Sequence, residues 1–253
     1  MLQGIKLTKR FGGLIAVDEL DLQVAEGELV GLIGPNGAGK STAVNLLTGK
    51  CAPTSGEVLL NGSRITRWPP HRRACAGIMR TFQMNSLFWQ FTLLDNMRVA
   101  WYGQHQKGLA WHSILGRKLR DGERQFSIQA TNTMDRLGIA HLKDRQVSSL
   151  TPGQQRIVGL GVALIANPQF LLLDEPLAGL SWQEANSVMK VVRELVSPSS
   201  GMGVLLIEHH VKSIVDFVDR LTAMSFGRKL AEGSARDVTS DETVIQSYLG
   251  RRL

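Results

Sequence analysis

The feature that most restricts what this chain can fold into is the stretch Gly31–Gly49, GLIGPNGAGKSTAVNLLTG. It places four glycines within nine positions, directly before a run with helical spacing. Upstream, Gly27–Gly34 is a short apolar run ending in glycine, the pattern of a buried strand followed by a turn. Downstream, Ala43, Leu46 and Leu47 recur at helical spacing, and Gly49 is a stop signal. The residues between them read Gly34-Pro35-Asn36-Gly37-Ala38-Gly39-Lys40-Ser41-Thr42, a phosphate loop set between strand and helix. Glycine admits backbone angles that other residues resist, so successive N–H groups can turn inward as an anion nest. The helix N-terminus behind the nest adds a partial positive charge. Lys40 is expected to reach the β- and γ-phosphates of a nucleotide, and Ser41 to ligate Mg²⁺.

Such a loop needs an acid on a neighbouring strand. Phe170–Pro176, FLLLDEP, supplies one: four apolar residues of a strand buried on both faces, then Asp174 and Glu175 at its carboxyl end. Asp174 suits the Mg²⁺ shell, and Glu175 suits polarisation of an attacking water. A second helix opens at Leu150-Thr151-Pro152-Gly153-Gln154 and carries Ile157, Leu160, Val162 and Leu164. Its N-terminus, with a hydroxyl and a glycine, is another anion site. It cannot easily serve the same phosphates within one chain. Two chains facing head to tail would place it on the partner's nucleotide.

Composition bounds the rest. With 253 residues, 43% hydrophobic and 20% charged, the chain is globular and long enough for a sizeable core. Cys51 and Cys75 lack any disulfide or metal spacing, which points to a reducing compartment. The N-terminus has no apolar run of signal-peptide length. Ile157–Ala166, the longest apolar stretch, is far short of the about 20 residues that span a bilayer. The formal charge of +7 admits a nucleic-acid binder, a protein beside an anionic membrane face, or a solvated surface with modest excess charge. Lys and Arg form no stripe along one helix, which favours the last.

Taken in order, these motifs resemble the ATP-binding subunits of ABC transporters over nearly the whole chain. GPNGAGKST matches the family's Walker A, LTPGQQR its signature and LLLDEP its Walker B. The resemblance implies further roles. Gln83 in RTFQ matches the loop that senses Mg²⁺ and couples to the membrane domains. His209 in LLIEHH matches the switch histidine at the γ-phosphate. Phe11 in KRFGGLIAV matches the aromatic that stacks on adenine, with Ala16 beside the ring. Departures are Thr151 for the usual Ser, Pro152 in place of a variable residue, Val162 where Arg is common, and Ser181 where Asp or Asn is usual.

Arg80–Gln106, the insertion at Leu109–Gly122 with its basic HSILGRKLR, the IEHH and the closing VIQSYLG are similar to subunits that serve hydrophobic amino-acid uptake. The resemblance implies an α/β fold: a P-loop core, an antiparallel β subdomain (Leu2–Gly27 and Gly56–Ile65) and an inserted helical subdomain. A single ABC domain is expected over 1–253, with core and β subdomain at 1–91 and 170–253 and helices at 92–169. A helix over Gln183–Val196, a strand Val204–Ile207 and a short C-terminal tail should follow. The implied function is an ATP-hydrolysing motor of an importer for branched-chain amino acids or related amides. Its cofactors would be ATP and Mg²⁺. Its partners would be an identical or paralogous ATP-binding subunit, two permease subunits and, indirectly, a solute-binding protein, with no nucleic acid. It would sit peripherally at the cytoplasmic face of the cell membrane. The alternatives are a lipopolysaccharide-type exporter subunit and a soluble ABC ATPase acting on nucleic acid or ribosomes. The second usually carries two cassettes or a long coiled coil, and this chain has neither.

Overall fold

The computed structural model describes residues 1–81, 87–105, 116–197 and 201–249. In chain order the first elements are β1 (Leu2–Phe11), β2 (Leu14–Val24), β3 (Leu29–Ile33), α1 (Lys40–Thr48), β4 (Ser55–Leu60) and β5 (Ser63–Arg64). Then come α2 (Pro70–Cys75), β6 (Ile78–Thr81), α3 (Leu93–His105), α4 (Gly116–Arg136) and α5 (Pro152–Leu164). The last are β7 (Phe170–Asp174), α6 (Trp182–Leu195), β8 (Gly203–Glu208), β9 (Arg220–Ser225), β10 (Arg228–Gly233), α7 (Ala235–Ser240) and α8 (Glu242–Leu249). The chain divides into two compact units, Met1–Thr81 with Gln169–Leu253, and Phe82–Pro168. The helical stretch read from the sequence as 92–169 lies in the second unit except for its last residue.

The first unit holds two sheets. One is antiparallel, in the order β2-β1-β4-β5; the other has the order β10-β9-β3-β8-β7-β6. In the second sheet all neighbours run parallel except β10 against β9. Strands β3, β7 and β8 are buried at every position, as parallel strands covered on both faces must be. Helix α1 turns Ala43, Val44, Leu46 and Leu47 into one core with Leu7, Val17, Leu20 and Val58 of the antiparallel sheet and Leu32, Leu172 and Leu205 of the parallel one. Helix α6 buries Ala185, Val188, Met189, Val192 and Leu195, an i, i+3, i+4, i+7 stripe.

The register lines up the functional ends. Ile33 pairs with Glu208, Asp174 with Ile207, and Thr81 with Leu173. The phosphate loop, the acid pair and His209 therefore all leave the sheet at its carboxyl edge, where open α/β sheets bind ligands.

One expectation fails. The region after β8 is not a short tail: β9, β10, α7 and α8 follow it, and β9 pairs directly with β3. The unread hairpin turns at Phe226-Gly227, a dipeptide without the Asn or Asp that marks such turns.

In the second unit, α3 and α4 bring Trp101 and Phe126 together at a ring distance of 6.3 Å. Leu93 and Leu94 N–H groups donate to the carbonyls of Arg145 and Lys143, closing the unit around α5.

Candidate nucleotide site

The phosphate loop owes its path to contacts that only glycine allows. Gly39 is the N-cap of α1 at φ 100°, and a β-carbon there would stand 2.4 Å from the Ala16 carbonyl oxygen. A β-carbon on Gly34 would stand 2.3 Å from the Met224 carbonyl oxygen. The Lys40, Ser41 and Thr42 N–H groups that open α1 carry no side-chain cap, so they remain as donors for an anion.

Phe11, Ala16, Asn36, Gly37, Ala38, Gly39, Lys40, Ser41, Thr42 and Glu175 line one open pocket of about 430 Å³, joined by Leu14, Ile15 and Phe226. Of the residues expected at the site, Gly34 and Pro35 stand just before this lining, at the root of the loop. Their carbonyls accept from Lys40 Nζ at 2.6 and 3.1 Å. Burial lowers the Lys40 pKa, and the carboxylates of Glu175, Glu208 and Asp174 pull it back up. Lys40 is thus a buried cation held among three acids. At the other end of the pocket, Phe11 is half-exposed with Lys9 Nζ 5.1 Å from its ring centre.

Glu175 takes φ 48°, a left-handed conformation rare for a residue with a β-carbon. Its N–H donates to Ile207 O, which fixes the strained turn against β8. Asp174 does not line the pocket. Its carboxylate pairs with the guanidinium of Arg80, which also donates to Asn45 Oδ1 at 2.7 Å. His209 also lies off the pocket lining, its ring 4.0 Å from that of His210 and its Nδ1 3.8 Å from Glu208 Oε2. Gln83 lies outside the described residues.

In the second unit, Thr151 is the N-cap of α5. Its hydroxyl accepts from Gln154 N–H, and Gln154 Oε1 accepts from Thr151 N–H, a capping box. Gly153 is buried beneath them.

Sequence reasoning passed over several residues. Arg80 stood in view in RTFQ, beside the glutamine that drew attention. Glu208 is fully buried and accepts from Leu177 N–H at 2.9 Å, which orients the turn after Glu175. Burial pushes the Tyr248 hydroxyl up to about 12, against the pull of the Gly34 N–H. Phe226 gave no sequence signal, because nothing local says that a distant hairpin folds onto the phosphate loop.

A phosphate nest at a helix N-terminus, a buried lysine and adjacent acids at a parallel-sheet edge define a P-loop nucleoside-triphosphatase. A family profile described as ABC transporter matches residues 17–178. The chain is 35% identical over 244 residues to the high-affinity branched-chain amino acid transport ATP-binding protein LivG of Escherichia coli, covering 96% of this chain and 95% of that protein. It is equally similar to the corresponding protein BraF of Pseudomonas aeruginosa, at 35% over 244 residues. Among solved structures, the ADP conformation of MJ1267, an ATP-binding cassette of an ABC transporter, superposes with a TM-score of 0.87 at 30% identity, covering 99% of both chains. The chain belongs to the ABC transporter family, as its ATP-binding cassette, the ATPase component. No helix among the described residues is long and apolar enough to cross a membrane.

Proposed function

We propose that this chain, as one ABC domain over residues 1–253, is the motor of an importer for branched-chain amino acids or related amides. The observation that carries the reading is one pocket that joins the phosphate loop, Lys40 and Glu175 to the apolar wall of Phe11 and Ala16. Phe11 and Ala16 take the adenine. The N–H groups and side chains from Gly34 to Thr42 take the phosphates. Glu175 polarises the attacking water, Gln83 senses Mg²⁺ and couples to the membrane domains, and His209 contacts the γ-phosphate. The 35% identity to LivG and BraF supports the cargo class.

Ser41, Asp174 and Gln83 offer hard oxygen donors of the kind Mg²⁺ prefers. Asp174 is 8% exposed, and its carboxylate already faces a cation, Arg80. Bound Mg²⁺ would neutralise charge on the phosphates.

Thr151, Gly153 and Gln154 cover the nucleotide of a facing chain, identical or paralogous. The capping box leaves the Thr151 hydroxyl proton free of that pair, ready to donate to a phosphate. Two permease subunits and a solute-binding protein complete the transporter, which places this chain peripherally at the cytoplasmic face of the cell membrane.

Glu175→Gln keeps shape and removes the base, so it should stop hydrolysis and spare binding. With Mg-ATP the variant should run as a dimer on a sizing column, alone or mixed with its paralogue; with ADP it should not. Wild-type hydrolysis by Glu175→Gln without dimer formation would refute both the base and the shared site. ATP-driven uptake of labelled leucine by the assembled transporter tests the cargo.

A further inference from the structure

Three two-residue loops join antiparallel neighbours among the described residues: Gly12-Gly13 between β1 and β2, Asn61-Gly62 between β4 and β5, and Phe226-Gly227 between β9 and β10. In the last two, both residues have positive φ: 49° and 77° for Asn61-Gly62, 47° and 82° for Phe226-Gly227. That geometry matches the twist of the flanking strands. Asparagine and glycine accept it readily, whereas phenylalanine is strained by its β-carbon. Burial does not offset the strain, because Phe226 is 90% exposed.

The turn itself is firmly seated. Gly227 N–H donates to Ala38 O at 2.9 Å, Gly227 O accepts from Asp18 N–H at 2.9 Å, and Arg228 pairs with Asp18. A β-carbon on Gly227 would approach the Ala16 carbonyl to 3.0 Å. The root of the Phe226 ring is therefore fixed to the phosphate loop on one side and to the strand that follows Phe11 on the other. Around the same pocket stand Phe11, Leu14 and Ile15, exposed at 53%, 67% and 37%. An exposed apolar cluster rimming a polar cradle marks a binding site. The base is the one flat apolar part of a nucleotide.

We propose that Phe226 is a base-contacting residue of this pocket, a second aromatic that packs on the purine held at Phe11. The proposal rests on the reading that the pocket binds ATP. It accounts for a strained, exposed ring where the chain's other two-residue hairpins use small residues.

The test is competition of ATP and of inorganic triphosphate against a fluorescent ATP analogue on the full chain, with thermal midpoints measured in parallel. Phe226→Asn should weaken ATP about five- to tenfold, the low end of base–aromatic stacking, and leave triphosphate unchanged. The same variant should melt higher, because asparagine accepts the turn. Phe226→Tyr should keep ATP affinity without the gain in midpoint. Opposite signs for affinity and stability are not what a structural residue gives. Lys40→Ala is the control and should weaken both ligands. If Phe226→Asn binds ATP like the wild type while Lys40→Ala loses both ligands, Phe226 is no base contact although the site stands. If Phe226→Asn binds normally but no longer allows ATP-driven pairing of chains, the ring serves the facing chain, and the proposal is likewise overturned. If Lys40→Ala loses neither ligand, the nucleotide reading itself fails.

Discussion

Two cations divide the work of holding acids at the carboxyl edge of the parallel sheet. Lys40 is buried among Glu175, Glu208 and Asp174 and donates to the Gly34 and Pro35 carbonyls. Phosphate oxygens would take over those donor positions, with a charge-assisted gain that neutral carbonyls do not give. Lys40→Ala should therefore weaken ATP about ten- to hundredfold, the size of about 1.5–3 kcal/mol for hydrogen bonds to charged groups, read by titration of a fluorescent analogue. Arg80 has a different place. Its side chain is 9% exposed and spans Asn45 on α1 and Asp174 on β7. Arg80→Met would leave the Asp174 carboxylate buried without its guanidinium. Removing one partner of a buried pair costs about 3–5 kcal/mol, so the denaturant midpoint should fall sharply. Asp174 was readable from the sequence because an apolar run ends at it. Its pairing with Arg80 was not, since the two lie 94 residues apart.

Helix ends carry the next level of information. Ser181, where the family usually has Asp or Asn, accepts from Glu184 N–H as the N-cap of α6, and its own N–H and hydroxyl donate to the Glu184 carboxylate. The departure keeps the cap, because Ser serves that position as well as Asp. Ser181→Ala should cost about 1 kcal/mol of stability, measured by urea unfolding. Pro152 occupies the first helical position of α5, where an N–H would have no partner within the helix and the fixed φ of proline suits it. Pro152→Gly should thus destabilise the chain by about 1 kcal/mol and leave ATP binding by the isolated chain unchanged. These helix starts were legible, as were β3, α1, β7 and β8, because apolar periodicity and stop residues are local signals. The β9–β10 hairpin and α7–α8 were not. Along β10 burial alternates between exposed and intermediate, the charged Arg228, Lys229 and Glu232 make up half of it, and its turn lacks the usual residues. What makes it a strand is β9, and what makes β9 a strand is β3, a partner 190 residues away.

Across the whole molecule, that distant pairing is secured at its start by Asp219. The Asp219 carboxylate accepts from Leu29 N–H at 2.8 Å and from Arg193 at 2.7 Å, while its N–H donates to Leu29 O. Burial raises its pKa, but the Arg193 and Leu29 donors and the Arg193 charge outweigh this, and the net shift is downward. A carboxyl depressed in the folded state adds stability above its unfolded value of about 4, lost as pH falls through the lower folded value. Asp219→Asn should lower the denaturant midpoint at pH 7 and do progressively less as pH falls below about 4. The same pairing sets a schedule for synthesis. Strand β3 leads into the phosphate loop, yet its sheet neighbours are β8 and β9. Emerging from a ribosome, residues 29–33 are an apolar strand without sheet neighbours until residues 203–208 and 220–225 are made, and the helical unit is made in the interval. Sequence-distant pairing is slow and leaves such segments open to aggregation. The loop that grips the nucleotide is thus made long before the strands that hold it and acquires its shape only after them, so a truncated nascent chain should have no grip on nucleotide until β9 has docked.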